Sequence, residues 1–434
     1  MFNRPCLLLA SVFLALPGVA RADDDFERPP IHYSKAKPND RVARLQEKLD
    51  AGKVRLSFHS ERGYLADVLD ALQVPASSQT LVFSKTSLQR QRISPWTPRA
   101  IYFSDDVYVG FCRAGNVLEI SAVDPQLGAV FYTLDQDDVD RPKFVRQTDA
   151  CMLCHASSQT RYVPGHTLRS VFTDRSGEAI LSLGTVRVDQ TTAFDRRWGG
   201  WYVTGSHGKQ THLGNLIVKN RSDRETLAKN PDGQNITSLK PFFDTSKYLT
   251  PHSDIVALMT LEHQVEAQNH LARASIQTRL ALHDQERLDQ ELGRASDSHS
   301  ETTERRIKSA GDPLVRYLLF SDEAKITDTI EGTSTFAVDF AKKGPRDAKG
   351  RSLREFDLER RLFKYPCSYL IHSEAFEQLP QAMKEYVYRQ MYNVLTNRSS
   401  LRGFDHLSAD DRQAILEILR DTKPDLPDFW RKQP

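Results

Sequence analysis

Cysteine is scarce in this chain, with five residues among 434. This count excludes a disulfide-rich scaffold, in which cysteine exceeds about 8–10% of a short chain. Methionine and tryptophan are also few, at five and four residues. Beyond the N-terminus, no apolar run is long enough to cross about 30 Å of hydrocarbon. The remainder, 39% hydrophobic and 27% charged residues, is typical of an ordinary globular protein.

The N-terminus has the pattern of a secretory signal peptide. Arg4 precedes an apolar run that ends near Val19, and small residues up to Ala22 form a cleavage site. The run is too short to span a membrane, which takes about 20 apolar residues. We therefore expect residues 1–22 to be removed, the mature protein to be periplasmic, and no transmembrane segment to be left after cleavage.

Neither sign of charge is in excess in the expected mature protein. Cleavage removes Arg4 and Arg21 and no acidic residue, so 59 − 2 = 57 Lys and Arg face 57 Asp and Glu. A formally neutral chain has no general attraction for nucleic acid or for an anionic membrane. We expect no nucleic-acid partner.

Cleavage of the signal peptide would also remove Cys6 and leave four cysteines. Two of these four lie three positions apart and are followed directly by a histidine, as Cys151-Met152-Leu153-Cys154-His155. A zinc site usually needs two paired clusters, and the chain has no second C-x-x-C. A thioredoxin-like pair would open a helix within a βαβ unit, which the residues before Cys151 do not predict. Covalent haem attachment uses both thiols and the imidazole.

The motif resembles the haem-attachment site of c-type cytochromes. This resemblance implies one covalent haem c, bound through Cys151 and Cys154, with His155 as the proximal iron ligand. Small cytochromes of this class carry the motif near the start of a helical domain, whereas here it lies in mid-chain after predicted strands. The resemblance therefore implies the attachment chemistry but not the usual fold or sixth ligand.

The residue on the other side of the iron decides the chemistry. A methionine or a second histidine favours electron transfer, and an open position permits small-ligand or peroxide chemistry. The candidates are histidines and a methionine on a predicted helix or in a Gly-rich segment: Met259, His263, His270, His207 and His212, with His166 as a further possibility. The alternative for each is an ordinary core or hydrogen-bonded role.

Two further groups are candidates for contacts with the porphyrin. Trp198 and Trp201 could pack on the macrocycle, although packing on the sheet is the alternative. Arg90, Arg92 and Arg99 could bind the two haem propionates, although a solvated surface cluster is the alternative.

The periodicity predicts an α+β fold. Alternating β-branched and aromatic runs between residues 80 and 136 predict an antiparallel sheet, and residues 179–188 predict a further strand. After residue 250 the spacing is helical, with Ser253 as the predicted N-cap of a long helix. We predict a β-rich haem-attachment region, residues 23–220, and a mainly helical region, residues 221–434, packed on it.

Cys112 and Cys367 are left over, and the sequence permits either a disulfide between them or two separate buried thiols.

For the whole protein we expect an exported mono-haem cytochrome that transfers electrons, with a redox protein or a small-molecule donor or acceptor as its partner. A haem-dependent oxidoreductase of the peroxidase type, with an open distal site, is the alternative. A non-catalytic haem-containing binding or sensor protein is another. The oligomeric state is left open.

Overall fold

The structure is a computed structural model that describes residues 22–220, 222, 227, 229–295 and 298–431. All but the last residue of the predicted signal peptide lies outside the described residues. The N-terminal half contains an antiparallel sheet and the C-terminal half is mainly helical, which confirms the α+β prediction.

The principal sheet contains seven antiparallel strands in the order β6-β5-β4-β3-β2-β1-β9. The strands along the chain are β1 Thr80–Val82, β2 Arg99–Phe103, β3 Val107–Phe111, β4 Val117–Asp124, β5 Gly128–Asp135, β6 Phe144–Gln147, β7 Arg169–Val171, β8 Thr185–Arg187, β9 Trp201–Tyr202, β10 Gly205–Ser206 and β11 Glu331–Gly332. Strands β7 and β8 pair with each other, as do β10 and β11. The five predicted runs between residues 80 and 136 form β1 to β5 and confirm the predicted sheet.

The described α-helices are α1 Arg41–Asp50, α2 Leu65–Ala71, α3 Met152–His155, α4 Ile255–Leu292, α5 Glu301–Leu318, α6 Phe336–Lys342, α7 Glu374–Glu377, α8 Gln381–Leu395 and α9 Ala409–Thr422.

The prediction of Ser253 as the N-cap of α4 was wrong by one residue. The side chain of Asp254 accepts hydrogen bonds from the amides of Val256 and Ala257. The Ser253 hydroxyl instead donates to the carbonyl oxygen of Tyr202 in the sheet, at 2.6 Å.

One other sequence prediction needs correction. Of residues 179–188, only β8 is a strand, because residues 181–183 form a 3₁₀ turn that ends at Gly184 with a φ of 101°. A polar run follows α4. Helix α5 begins within it, because Ser300 caps the helix and Ile307 and Leu314 lie buried on one helical face.

The long helix α4 is buried on all sides over most of its length and lies against the sheet. Its polar side chains bind the sheet directly. The Nε2 atom of Gln264 donates to the carbonyl oxygen of Ser104 at 2.7 Å, and that of Gln268 donates to the carbonyl oxygen of Asp105 at 2.6 Å. These bonds fix the distance between helix and sheet and so shape the space between them.

Within the described parts of the chain, no helix is both long and apolar enough to cross a membrane.

Candidate functional site

One face of the principal sheet forms the wall of a cavity. Its side chains lie in two rows across the strands, a row of Ile101, Gly110, Glu119 and Thr133 and a row of Tyr108, Ser121 and Phe131. Gly110 has no side chain, and the guanidinium of Arg99 lies where a Cβ would project. The glycine therefore makes room for the Arg99 guanidinium at the cavity wall.

The Cys-x-x-Cys-His motif lies over this face. Strand β6 leads into the single turn of α3, and Cys151, Cys154 and His155 all line the cavity. The cavity has a volume of about 340 Å³. Pockets for small molecules and cofactors are on the order of 300–1,000 Å³, so this space is of the size that a bound group requires.

His155 is oriented for binding at one ring nitrogen. Its Nδ1 atom donates to the carbonyl oxygen of Gly165 at 2.9 Å, and its ring packs on Phe131 with the centroids 4.6 Å apart. Burial lowers the pKa of His155, so the imidazole is neutral. A metal-binding histidine is commonly held in this way, with one nitrogen donating to a carbonyl oxygen and the other facing the metal.

His166 is the second histidine that lines this cavity. Its Nε2 atom is hydrogen-bonded to the hydroxyl of Ser121 at 2.7 Å, while its buried Nδ1 atom has no hydrogen-bond partner. Its ring centroid lies 6.5 Å from that of His155. Burial, with a smaller contribution from His155, lowers the pKa of His166 to about 3.

The side chain of Asn269 in α4 holds the backbone of His166 from both sides. Its Oδ1 atom accepts from the amide of His166 at 3.0 Å, and its Nδ2 atom donates to the carbonyl oxygen of the same residue at 2.8 Å. Both the histidine and the preceding Gly165 carbonyl are thereby fixed to the long helix.

Arg99 supplies a cation at the cavity wall. It forms an ion pair with Glu119 at 2.8 Å, and its buried Nε atom has no hydrogen-bond partner. Of the three arginines proposed for the propionates, Arg99 is the one that lines the cavity. Arg90 lies outside it and pairs with Glu178, and Arg92 is exposed and bonds to Asn116.

The helix candidates for the sixth ligand do not line this cavity. Both ring nitrogens of His263 are engaged, with Gln190 at 2.6 Å and with Ser368 at 2.8 Å. His270 stacks on Tyr317, and Met259 is buried in the apolar core. The structure therefore does not bring these three residues to the motif.

The two histidines of the Gly-rich segment lie in a separate buried cluster. The rings of His207 and His212 are 4.6 Å apart and contact Phe194. Trp198 belongs to this cluster, whereas Trp201 lines the cavity. Of the two tryptophans considered for the macrocycle, only Trp201 therefore lies at the motif.

Some cavity residues were not predicted from the sequence, among them Glu119, Ser121 and Phe131. Glu119 and Ser121 alternate with buried apolar residues along β4, which is the pattern of an ordinary surface strand. The signal that could have located them is the pairing register of β4 with β3 and β5. This register follows from strand contacts and not from the local pattern.

The other two cysteines, Cys112 and Cys367, are free and buried. They are therefore two separate thiols and do not form a disulfide with each other.

Among the described residues, no group of three or more His, Cys, Asp or Glu side chains is arranged to hold a metal ion. Comparison of the chain with protein-family models, with curated proteins and with solved structures gave no match.

The residues at the cavity fit a covalently attached haem. Two thiols at the required spacing and one oriented imidazole line the same space. The buried Nδ1 of His166 and Nε of Arg99 have no hydrogen-bond partner in the protein, and unpaired buried polar atoms are uncommon in folded proteins. A bound haem would offer a partner to both, an iron for the imidazole nitrogen and a carboxylate for the guanidinium.

Proposed function

We propose that this chain is a mono-haem c-type cytochrome that transfers single electrons. Cys151 and Cys154 would form the two thioether bonds, and His155 would be the proximal ligand. The observation that carries the proposal is that all three side chains line one cavity while the ring of His155 is fixed by the Gly165 carbonyl. The haem supplies a one-electron couple when it is bound.

We infer that His166 is the sixth ligand. Among the described histidines and methionines, His155 and His166 are the two that line the cavity. The imidazole of His166 has one nitrogen bonded to Ser121 and the other free, which is the arrangement that a ligating histidine needs. Two nitrogen ligands favour electron transfer over reaction at an open iron.

The walls of the cavity suit this function. Phe131, Trp201, Leu261 and Val265 give the cavity an apolar part of its wall. A low local dielectric keeps a buried redox centre sensitive to nearby charges. The free Nε of Arg99 would donate to a haem propionate, a charge-assisted hydrogen bond that Glu119 already orients.

The attachment is tested by producing the exported protein in a bacterial host that attaches haem c. We expect one haem per chain in the reduced pyridine spectrum and a mass that includes it. The double variant Cys151→Ser with Cys154→Ser should have neither, and Cys367→Ala is the matched control because that free thiol is buried in the apolar core and does not line the cavity. An unmodified mass for the wild-type chain would refute the proposal.

The role of His166 is tested separately by spectroscopy. We expect low-spin, six-coordinate spectra in both oxidation states, and a high-spin ferric form that binds cyanide in His166→Ala. His263→Ala, in which both ring nitrogens are engaged elsewhere, should keep the low-spin spectrum. A wild-type protein that is already high-spin would refute electron transfer and support the haem-dependent oxidoreductase instead.

A further inference from the structure

Two further cavities lie beside the loop that follows the motif. One, of about 470 Å³, is lined by Ser158, Arg161, Tyr162 and Arg187 together with Arg273 and Gln277 of the long helix. The other, of about 290 Å³, shares Arg273 and Gln277 and adds Arg305 and Arg306 of α5. We call the two cavities together the arginine groove. None of its residues lines the cavity of the proposed haem site.

The positive charge of the groove is only partly neutralised. The buried carboxylate of Glu266 binds Arg161 at 2.6 Å and lies 3.4 Å from Arg187, which also lies 3.9 Å from Asp189. These two acids offset two of the arginines. Arg273 has no hydrogen bond or ion pair within the described residues.

The remaining acid of the groove does not offset Arg273. Asp25 lines the same cavity, but its carboxylate pairs with Arg28 at 3.2 Å and accepts a hydrogen bond from Gln277 at 3.0 Å. On the far side of the groove, Arg306 pairs with Asp284 at 2.8 Å. The guanidinium of Arg273 is therefore the one cation among these that lacks a counter-ion in the described part of the chain.

The field of these arginines reaches the neighbouring groups. Burial and the charge of Arg161 lower the pKa of Arg273. The same two arginines, with Arg187, add to the effect of burial in lowering the pKa of His270. Like charges held this close repel one another, and a bound anion would relieve the repulsion.

The backbone at the rim of the groove is strained. Arg161 and Tyr162 both have a left-handed conformation, with φ of 61° and 60°. Local strain of this kind is concentrated at ligand clamps and active sites. Here Arg161 binds Glu266, and the ring of Tyr162 is half exposed at the cavity.

We propose that the arginine groove binds a small oxyanion, a phosphate or carboxylate group, between Arg273 and its neighbours Arg161 and Arg187. A guanidinium offers paired N–H donors that match two oxygens of such a group, and Arg273 has all of its donors free. The site goes beyond the proposed haem function and does not depend on it, because its ligand contacts are made by other side chains.

The test is calorimetric titration of the full-length mature protein with inorganic phosphate, and in a second arm with succinate, at constant ionic strength set by chloride. We expect saturable binding of one anion per chain by at least one of the two. Arg273→Gln should weaken this binding at least tenfold. Arg287→Gln removes the same charge from an exposed site on the same helix and should leave the binding unchanged.

The outcomes separate the proposal from its alternatives. Binding by phosphate alone or by succinate alone supports the site and identifies the ligand group. No saturable binding of either anion overturns the proposal, and so does an equal loss in the two variants, which would indicate general charge attraction. If Arg273→Gln does not fold, Arg187→Gln takes its place, and unchanged binding in that variant counts against the site.

Discussion

The Nδ1 atom of His155 lies 2.9 Å from the carbonyl oxygen of Gly165, and the next residue, His166, is held by both ends of the Asn269 amide. The motif, the loop after it and the long helix thus form one connected unit. The orientation of the His155 imidazole depends on a side chain more than a hundred positions further along the chain.

We therefore expect Asn269→Ala to destabilise the fold and to disturb the proposed haem site together. The change leaves the buried amide and carbonyl of His166 unpaired, and each unpaired group costs about 1–3 kcal/mol. Urea unfolding measures the loss, and the spectrum of the reduced haem reports the site. Gln290→Ala, an exposed change on the same helix, should alter neither; an equal effect of the two variants would contradict this account.

Tyr108 links the sheet to the long helix at the cavity wall. Its hydroxyl donates to Gln268 at 2.5 Å and accepts from Gln264 at 2.8 Å. We expect Tyr108→Phe to lower the free energy of unfolding by about 1–3 kcal/mol, because it leaves a buried acceptor of Gln268 unpaired. Tyr162→Phe, at a half-exposed ring, is the control in a urea titration and should stay within about 0.5 kcal/mol of wild type.

Asp254 caps the long helix and also accepts hydrogen bonds from the amide and the hydroxyl of Ser334, both at 2.8 Å. We expect Asp254→Ala to cost at least the usual loss of an N-cap, about 0.5–2 kcal/mol. Asp254→Asn keeps an oxygen for the cap and should lose less. Thermal unfolding of the two variants measures the order, and a larger loss in Asp254→Asn would be inconsistent with the capping role.

Glu323 should make stability depend on pH in a definite direction. Burial raises its pKa from 4.5 to about 7, so the folded state keeps a proton that the unfolded chain releases. Stability should therefore fall as the pH rises from about 4.5 to about 7. Glu323→Gln should remove this slope while still accepting from the amide of Leu362.

The comparison for this prediction is Glu417, whose pKa is lowered to about 2 by hydrogen bonds from Lys349, Gln413 and Arg351. Its contribution has the opposite sign and is lost as the pH falls from 4.5 towards 2. The difference between wild type and Glu417→Gln should therefore change only in that acidic range. Urea midpoints measured across pH 2 to 8 test both variants, and identical pH profiles for Glu323→Gln and wild type would contradict the assignment to Glu323.

Local patterns were sufficient for much of the fold. Alternation predicted β1 to β5, and helical spacing predicted the long helix α4, because strand pleat and helix pitch impose their periods on neighbouring residues. The start of α5 was missed. Its first turns are polar and exposed, so no apolar stripe marks them.

The sequence by itself was enough to propose the attachment motif, since two thiols and an imidazole in five consecutive residues need no distant partner to be recognised. It also determined the sheet and most of the helices. Only the tertiary structure decided which histidine shares the cavity with His155, and that Arg273 has no counter-ion among the described residues. Both depend on strand register and on contacts between elements far apart in the chain, such as the one between Asn269 and His166, and no local period encodes them.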